Sequence, residues 1–160
     1  MTPPAAALQM HPTTAAPHVT VRSDLLGPIV VPATSLLAFD AGLFGFPECR
    51  SFVLVPTARE GLFWLQSADH AALAFLLVDP FTACDGYAVD LNAGDLHDLR
   101  ASASSDVAVL AIVTLPGNRT DKPTANFQGP LAINLSASRG KQLAIGDNQY
   151  GVRYEIELPG

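Results

Sequence analysis

The stretch LFWLQSADHAALAFLLVDPF, residues 62–81, contains the single tryptophan of the chain and its densest group of apolar side chains. LFWLQS alternates loosely and is rich in aromatic residues, and AFLLV is a short continuous apolar run; both patterns are typical of buried strands. The short segment ADHAA between them predicts a hairpin connection. Because Pro80 has no backbone N–H and disfavours the helical region for Asp79, we expect strand pairing to stop there and Phe81 to lie at the end of the sheet.

Further apolar segments precede and follow this hairpin, and from SFVLVP to YAVDL they recur at intervals near ten residues, a spacing typical of an antiparallel sandwich or barrel. They are HVTVRS (18–23), PIVVP (28–32), SFVLVP (51–56), YAVDL (87–91), DVAVLAIVTLP (106–116) and PLAINLS (130–136). One short helix is expected after Asn92, because acidic residues in its first turn and leucines three apart follow. We therefore predict a mainly β fold, an antiparallel β-barrel-like single domain with one or two short helices.

The two ends of the chain differ in pattern. Residues 1–17 are rich in Pro, Ala and Thr without a sustained apolar stretch, so we expect a disordered leader before a single β domain at 18–160. Residues 138–158 predict a terminal two-stranded unit. Its second strand alternates Val152, Tyr154, Ile156 and Leu158 with charged residues, so we expect one face of that strand to be buried.

Composition excludes several classes of protein. The net charge is −6, and the nine lysines and arginines are scattered singly, whereas phosphate binding needs clustered cations. We therefore expect no direct binding of nucleic acid; an acidic surface suits a basic protein partner or simply favours solubility. The longest apolar runs fall short of the roughly 20 residues of a membrane helix, and the first residues do not form a secretory signal. A cytoplasmic protein without membrane contact is expected.

Candidate chemical groups have simpler explanations. Ser67, Asp69 and His70 suggest a hydrolase, but residues so close along one turn rarely converge as a triad, and turn-capping roles explain them better. Cys49 and Cys84 have no paired spacing and are expected to be buried, unreactive thiols. The aspartates lack the spacing of a calcium loop. We expect no catalytic residue, metal or cofactor, although a β-barrel can still bind a small molecule at its mouth.

In the loop DAGLFGFPECR, residues 40–50, Gly42 and Gly45 alternate with the apolar residues Leu43, Phe44 and Phe46. One interpretation is a hydrophobic flap that folds onto the core. The other is a contact patch, because apolar side chains on a flexible surface loop often mark interaction sites. The residues of this loop alone leave both interpretations open.

Several segments, taken in order, resemble the FliW family of bacterial flagellar assembly factors. They are AFDAGLFGFPECRSFVL (38–54), FWLQS (63–67), AFLLVDPF (74–81), DVAVLAIVTLP (106–116), TANFQGPLAIN (124–134), GKQLAI (140–145) and YGVRYEI (150–156). The resemblance covers about residues 20–158. This chain departs from the family pattern at Ala83 and Cys84, where bulkier aromatic residues are expected, and at Phe44, where proline is usual.

The resemblance implies a small cytoplasmic β-barrel protein without catalytic activity that binds two proteins. One is flagellin, and the other is the RNA-binding translational repressor CsrA. Binding to CsrA would relieve repression of flagellin mRNA, and unexported flagellin would draw the factor away from CsrA. The partner-binding surface implied for this chain includes Phe44, Phe46, Asp79, Phe81, Asn126 and Gln128. The alternative is a β-barrel that binds a small molecule.

Overall fold

The computed structural model describes residues 17–146 and 149–160. Apart from Pro17, the predicted leader lies outside the described residues. The strands are β1 His18–Val21, β2 Ile29–Pro32, β3 Leu36–Ala38, β4 Ser51–Pro56, β5 Leu62–Ser67, β6 Ala74–Val78, β7 Ala108–Thr114, β8 Thr124–Ala125, β9 Leu131–Asn134, β10 Arg139–Gln142 and β11 Tyr154–Glu155. Two short α-helices, Pro80–Ala83 and Ala93–Asp98, and two 3₁₀ turns, Ala33–Ser35 and Ser104–Asp106, connect them.

Seven strands close into a barrel in the order β7-β6-β5-β4-β3-β10-β9, with β9 pairing back onto β7. Every pair in the ring is antiparallel except β10 with β3, which meet in parallel at Arg139 and Ala38 alone. The first half of β7 pairs with β9 and its last two residues pair with β8, which in turn pairs with β11. β1 and β2 form a separate antiparallel pair. The prediction of a mainly β, antiparallel barrel with short helices is confirmed.

The hairpin of β5 and β6 forms as the sequence predicts, with both strands matching the predicted segments residue for residue. Their pairing aligns Leu65 with Phe75 and ends at Val78, immediately before the Asp79-Pro80 corner. The connection is stabilised by Gln66, whose side chain is fully buried and whose Nε2 donates to the carbonyls of Ala71 (3.2 Å) and Leu73 (3.1 Å). A buried amide therefore sets the shape of this turn.

Alternation along the strands separates the barrel interior from its covered outer wall. The interior is filled mainly by buried residues of one cluster: Leu37, Phe39, Phe52, Leu65, Leu77, Leu110, Leu131 and Ile133. A second cluster, which includes Leu76, Val78, Ala111 and Val113, lies on the opposite strand faces and packs against Cys84, Tyr87 and Phe127. The segments between the strands thus cover the outer wall.

The two helices begin where the sequence supplies caps. Asp79 caps Pro80–Ala83, because its Oδ1 accepts the N–H of Phe81 at 2.9 Å. Asn92 and Asp95 exchange backbone and side-chain hydrogen bonds at the start of Ala93–Asp98, as expected for a capping box. Lys141 on β10 forms ion pairs with Asp95 (2.9 Å) and Asp98 (2.8 Å), which fix this helix to the barrel wall. Among residues 17–146 and 149–160, no helix combines the length and apolar character that crossing a membrane requires.

One predicted strand and one predicted strand pairing are wrong. Residues 87–91 do not form a strand; Tyr87 packs into the outer cluster and donates its hydroxyl to the carbonyl of Phe127 at 2.8 Å. Residues 138–158 do not form a two-stranded unit, because β10 pairs with β9 and β3 whereas β11 pairs with β8. Of the four apolar side chains expected to point inward in the last strand, only Ile156 is fully buried. Partners that are distant in sequence decided both cases.

Candidate functional site

Phe44 lies at the tip of a tight turn. Leu43 and Phe46 exchange two backbone hydrogen bonds of 3.2 and 2.7 Å, which leaves Phe44 and Gly45 at the apex. Gly45 has a φ of 86°, a conformation that favours glycine. The Phe44 side chain is 58% exposed, whereas the Phe46 ring packs edge-on against Phe75 at a centroid distance of 5.4 Å. The loop therefore combines both interpretations: Phe46 is a flap on the core, and Phe44 is exposed.

Gln142 on β10 connects this tip to another turn. Its Oε1 accepts the N–H of Phe44 at 2.7 Å, and its Nε2 donates to the carbonyl of Gly129 at 2.8 Å. The second turn is shaped by Asn126, whose Oδ1 accepts the N–H groups of Gln128 (3.1 Å) and Gly129 (2.9 Å). One side-chain amide thus holds the exposed phenylalanine beside the Asn126 turn.

A shallow cleft of about 280 Å³ forms between the two turns. Its lining consists of Phe44, Asn126, Gln128, Gly129, Ala144, Gly146 and Val152. The Val152 side chain is 54% exposed, and no charged side chain belongs to the described lining. The cleft lies just below the volume range of sites for small molecules, so it suits a single apolar side chain of a protein partner better than a cofactor. We call it the Phe44 cleft.

Asp79 and Phe81 lie in a different place from the Phe44 cleft. The Asp79 carboxylate is used as the cap of the helix that begins at Pro80. The Phe81 ring is 49% exposed and lies 5.7 Å, centroid to centroid, from the ring of Tyr87. Phe81 therefore lies at the sheet end, as predicted, and belongs to a separate group of aromatic residues.

That group, here called the aromatic cluster, comprises Phe81, Tyr87, Phe127, Tyr150 and Tyr154. The ring centroids of Tyr87 and Phe127 lie 5.1 Å apart and those of Phe127 and Tyr154 lie 5.3 Å apart, at distances usual for interacting aromatic pairs. Burial, followed by the nearby Cys84 and Tyr150, raises the pKa of Tyr87 to about 12. The phenol therefore stays protonated at neutral pH and continues to donate to the Phe127 carbonyl.

Residues 125–128 join the two regions. Asn126 and Gln128 line the Phe44 cleft, whereas Phe127 between them is fully buried in the aromatic cluster. The same division holds for the segment near the C-terminus, where Val152 lines the cleft and Tyr154 packs in the cluster. Two neighbouring apolar surfaces are thus built on the same backbone segments.

The structure brings together only part of the predicted residue set. Phe44, Asn126 and Gln128 share one cleft; Phe46 is packed on the core, and Asp79 and Phe81 lie at the helix beside the aromatic cluster. The sequence reasoning missed Gln142 and Val152. Val152 carried a usable signal, since an apolar residue follows Gly151 in a turn-rich segment, but the prediction of a strand placed it inside.

The candidate catalytic residues have structural roles. Ser67 is fully buried, and its Oγ accepts the N–H groups of Asp69 and His70 at 3.0 Å each, which is the expected turn-capping arrangement. Cys49 and Cys84 are buried free thiols, and burial raises the pKa of Cys49. In the part of the chain that the structure describes, no group of three or more His, Cys, Asp or Glu side chains is placed to hold a metal ion.

Comparison with known proteins decides the family. The family model of the FliW protein matches residues 20–156, which is most of the chain. The chain belongs to the FliW family. Among its FliW relatives, the flagellar assembly factor FliW of Moorella thermoacetica is 35% identical over 137 residues, covering 85% of this chain and 87% of that protein. The flagellar assembly factor FliW of Pseudothermotoga lettingae is 32% identical over 132 residues, covering 82% and 85%.

The fold agrees with that of a solved FliW structure. The crystal structure of a flagellar assembly factor FliW superposes with a TM-score of 0.78 at 30% identity, covering 86% of this chain and 96% of the other. This match confirms the family resemblance read from the sequence, and it confirms the barrel as the FliW fold. It leaves the roles of individual surface residues to be argued from their geometry.

Proposed function

We propose that this FliW-family chain acts in flagellum assembly as a non-enzymatic, cytoplasmic protein that binds flagellin and CsrA. Binding to CsrA relieves repression of flagellin mRNA, and binding to flagellin gives a chaperone-like complex. Family membership supports the role in flagellar assembly. The observation that carries the binding proposal is the concentration of exposed apolar side chains around residues 125–128 and 150–154.

Exposed aromatic and branched side chains at one surface are typical of protein interfaces. Phe44 and Val152 are 58% and 54% exposed at the Phe44 cleft, and Phe81 and Tyr154 are 49% and 37% exposed at the aromatic cluster. The fold does not need these side chains to be exposed, and a partner would bury them. The proposed surface therefore keeps Phe44, Asn126, Gln128 and Phe81 from the predicted set and adds Val152 and Tyr154 in the same region.

Charge around this surface favours a basic partner. Asp79 and Asp85 flank Phe81 in sequence, and Glu155 follows Tyr154; the nearby cations are Arg153 and Lys122, and Lys122 is paired with Glu157 at 2.8 Å. The chain as a whole carries a net charge of −6. An acidic rim of this kind suits a partner whose contact surface is basic. Asp79 contributes through its charge and through the cap that fixes Phe81.

Exchange between partners requires two contacts that cannot be made together, or a coupling between them. Because residues 125–128 border both the Phe44 cleft and the aromatic cluster, a partner that moves this segment at one surface alters the other. Coupling free energies in allosteric proteins are typically about 1–3 kcal/mol, which is enough to change affinity by roughly 5- to 150-fold. Exchange therefore does not need a large conformational change.

The proposal is tested by calorimetric titration of the chain against flagellin and CsrA of the same organism, separately and in competition. We expect binding to each, with each partner weakening the other. Phe44→Ala should weaken the binding of at least one partner by about 2 kcal/mol, which is roughly a 30-fold loss of affinity, as for an aromatic hot spot. Phe81→Ala and Val152→Asp test the aromatic cluster and the second wall of the cleft.

Leu25→Ala is the matched control, because Leu25 is 57% exposed but neither lines the Phe44 cleft nor belongs to the aromatic cluster. It should leave both affinities unchanged. If neither partner binds the unmodified chain, the proposal is wrong. If both bind but Phe44→Ala, Phe81→Ala and Val152→Asp behave like Leu25→Ala, the function stands and the surface assignment is wrong.

A further inference from the structure

A larger cavity lies at one end of the barrel, where β4 and β9 end and β3, β5 and β10 begin. Its volume is about 620 Å³, within the range of sites for small molecules. The lining residues are Thr34, Ser35, Leu37, Leu54, Pro56, Phe63, Leu135, Ser136, Ala137 and Ser138. None of these residues belongs to the Phe44 cleft or the aromatic cluster, so this cavity is independent of the proposed partner surface.

The lining of this cavity has two chemically distinct parts. Inward-facing side chains of β3, β4 and β5, namely Leu37, Leu54 and Phe63, form an apolar floor continuous with the filled barrel interior. Four hydroxyl side chains lie on the two segments of the rim, in the 3₁₀ turn after β2 and in the turn between β9 and β10. No ionisable side chain belongs to the described lining, so a charged group would be desolvated there without a partner.

The rim is held in a fixed shape. Ser138 has a φ of 56°, a left-handed conformation that costs energy for a residue other than glycine. Its hydroxyl donates to the carbonyl of Thr34, and its carbonyl accepts the N–H of Ala38 at 2.9 Å. These two hydrogen bonds connect the turn after β9 to the segment before and within β3. The cavity is therefore preformed, which lowers the cost of binding.

The side chain of Leu135 is an exposed apolar group beside the cavity. Leu135 is a rim residue with a 59% exposed side chain, although apolar neighbours lie in the cavity beside it. A ligand with an apolar body would contact both Leu135 and the floor. We infer that this cavity binds a neutral small molecule with an alkyl or aryl body and a hydroxyl or carbonyl group that hydrogen-bonds the rim. This assignment does not depend on the proposed binding of flagellin or CsrA.

Fluorescence titration with N-phenyl-1-naphthylamine, a neutral aromatic probe, tests the proposal on the full chain. We expect saturable binding of one probe per chain. 1-Octanol should displace the probe at a concentration roughly tenfold or more below that of octanoate, because no cation in the lining compensates a carboxylate. The absence of saturable binding, or equal displacement by octanol and octanoate, would overturn the inference.

Variants locate the binding. Ala137→Trp should fill the cavity and weaken binding of the probe at least tenfold. Leu135→Ala should weaken binding of the probe several-fold without affecting the packed core. Leu115→Ala is the matched control, because Leu115 is 52% exposed but does not line the cavity. Circular dichroism checks that each variant is folded; should Ala137→Trp fail to fold, Leu135→Ala decides. Equal binding of the probe by Leu135→Ala and Leu115→Ala contradicts the small-molecule site. So does a finding that the unmodified chain is a dimer that Leu135→Ala dissociates.

Discussion

The two ends of the barrel are built from the same strands but are filled differently. At the end where β3 and β5 finish, here called the plugged end, aromatic rings fill the interior. Phe39 packs edge-on against Phe52 at 5.2 Å, and Phe46 packs edge-on against Phe75 at 5.4 Å. At the opposite, open end, the lining is mostly leucine, serine and alanine, and a cavity of about 620 Å³ remains.

The difference shows that the volume of the side chains near each end of this barrel, and not the arrangement of the strands, decides whether that end is filled. The loop after β3 folds Leu43 and Phe46 back over the plugged end, and Leu43 is 2% exposed. The turn between β9 and β10 carries only Leu135 as a large apolar residue, and that side chain faces solvent. The loop after β3 thus fills one end of the barrel, whereas the turn between β9 and β10 leaves the other end open.

The largest effect is expected from removing the plug. Phe39 is fully buried, so Phe39→Ala should lower the free energy of unfolding by about 3–5 kcal/mol, as for other buried aromatic residues. Phe63→Ala at the open end should cost less, because Phe63 is only partly buried and already borders a cavity. Urea denaturation of the two variants measures both values. Equal losses would show that the two ends do not differ in packing.

A smaller effect is expected at Gly140. A Cβ atom at this position would overlap the ring of Phe39, so Gly140→Ala should force the ring to shift and cost about 1–3 kcal/mol. Gly117→Ala is the control, since a Cβ atom there meets no neighbour within 4 Å. Thermal unfolding monitored by circular dichroism compares the pair. If both variants melt at the same temperature, Gly140 is not required by the plug.

At the open end, the hydrogen bond of Ser138 should contribute less than the plug. Ser138→Ala removes the donor to the Thr34 carbonyl but keeps the left-handed backbone, so we expect a loss of about 0.5–1.5 kcal/mol. Ser136→Ala on the exposed side of the same rim should change stability by less than about 0.5 kcal/mol. Urea denaturation tests both. A loss for Ser138→Ala comparable to that for Phe39→Ala would contradict the ranking.

The smallest effect is expected for the ion pair between Lys141 and Asp98 on the barrel wall between the two ends. Lys141 lowers the pKa of Asp98 by hydrogen bonding and by its charge. A carboxyl whose pKa is lower in the folded state stabilises the protein above its unfolded pKa, near 3.8, and loses this contribution as pH falls through the folded value. The melting temperature should therefore be slightly higher for the unmodified chain than for Asp98→Asn at pH 6, and the difference should disappear on acidification. A difference independent of pH would contradict the ion-pair explanation.

Much of the fold could be predicted from local pattern. The β5–β6 hairpin, its end before Pro80 and the helix after Asn92 follow from apolar runs, a missing backbone donor, and acidic residues followed by leucines three apart. The failures at residues 87–91 and 138–158 share a cause, since Tyr87 hydrogen-bonds Phe127 and β11 pairs with β8, and these partners are distant in the chain. Pattern identifies an apolar face, but it does not identify what covers it.

The candidate surface could also be predicted only in part. The sequence indicated that the loop at residues 40–50 is either a flap on the core or a contact patch, but it did not separate the exposed Phe44 from the packed Phe46. The place of Phe44 beside Asn126 depends on Gln142, which is 98 residues from Phe44 along the chain. Such a contact exists only after the barrel has closed, because β10 must first pair with β9 and meet β3.

The sequence by itself determined the strand-forming segments, the positions where proline, glycine and capping residues end them, the acidic balance and the family. Each of these depends on interactions within a few residues or on the order of motifs. Only the tertiary structure decided that seven strands close into a ring, that one end is plugged by Phe39 while the other stays open, and that Phe127 is buried between two exposed surfaces. Closure pairs residues far apart in the chain, and the resulting packing depends on which volumes meet across the barrel.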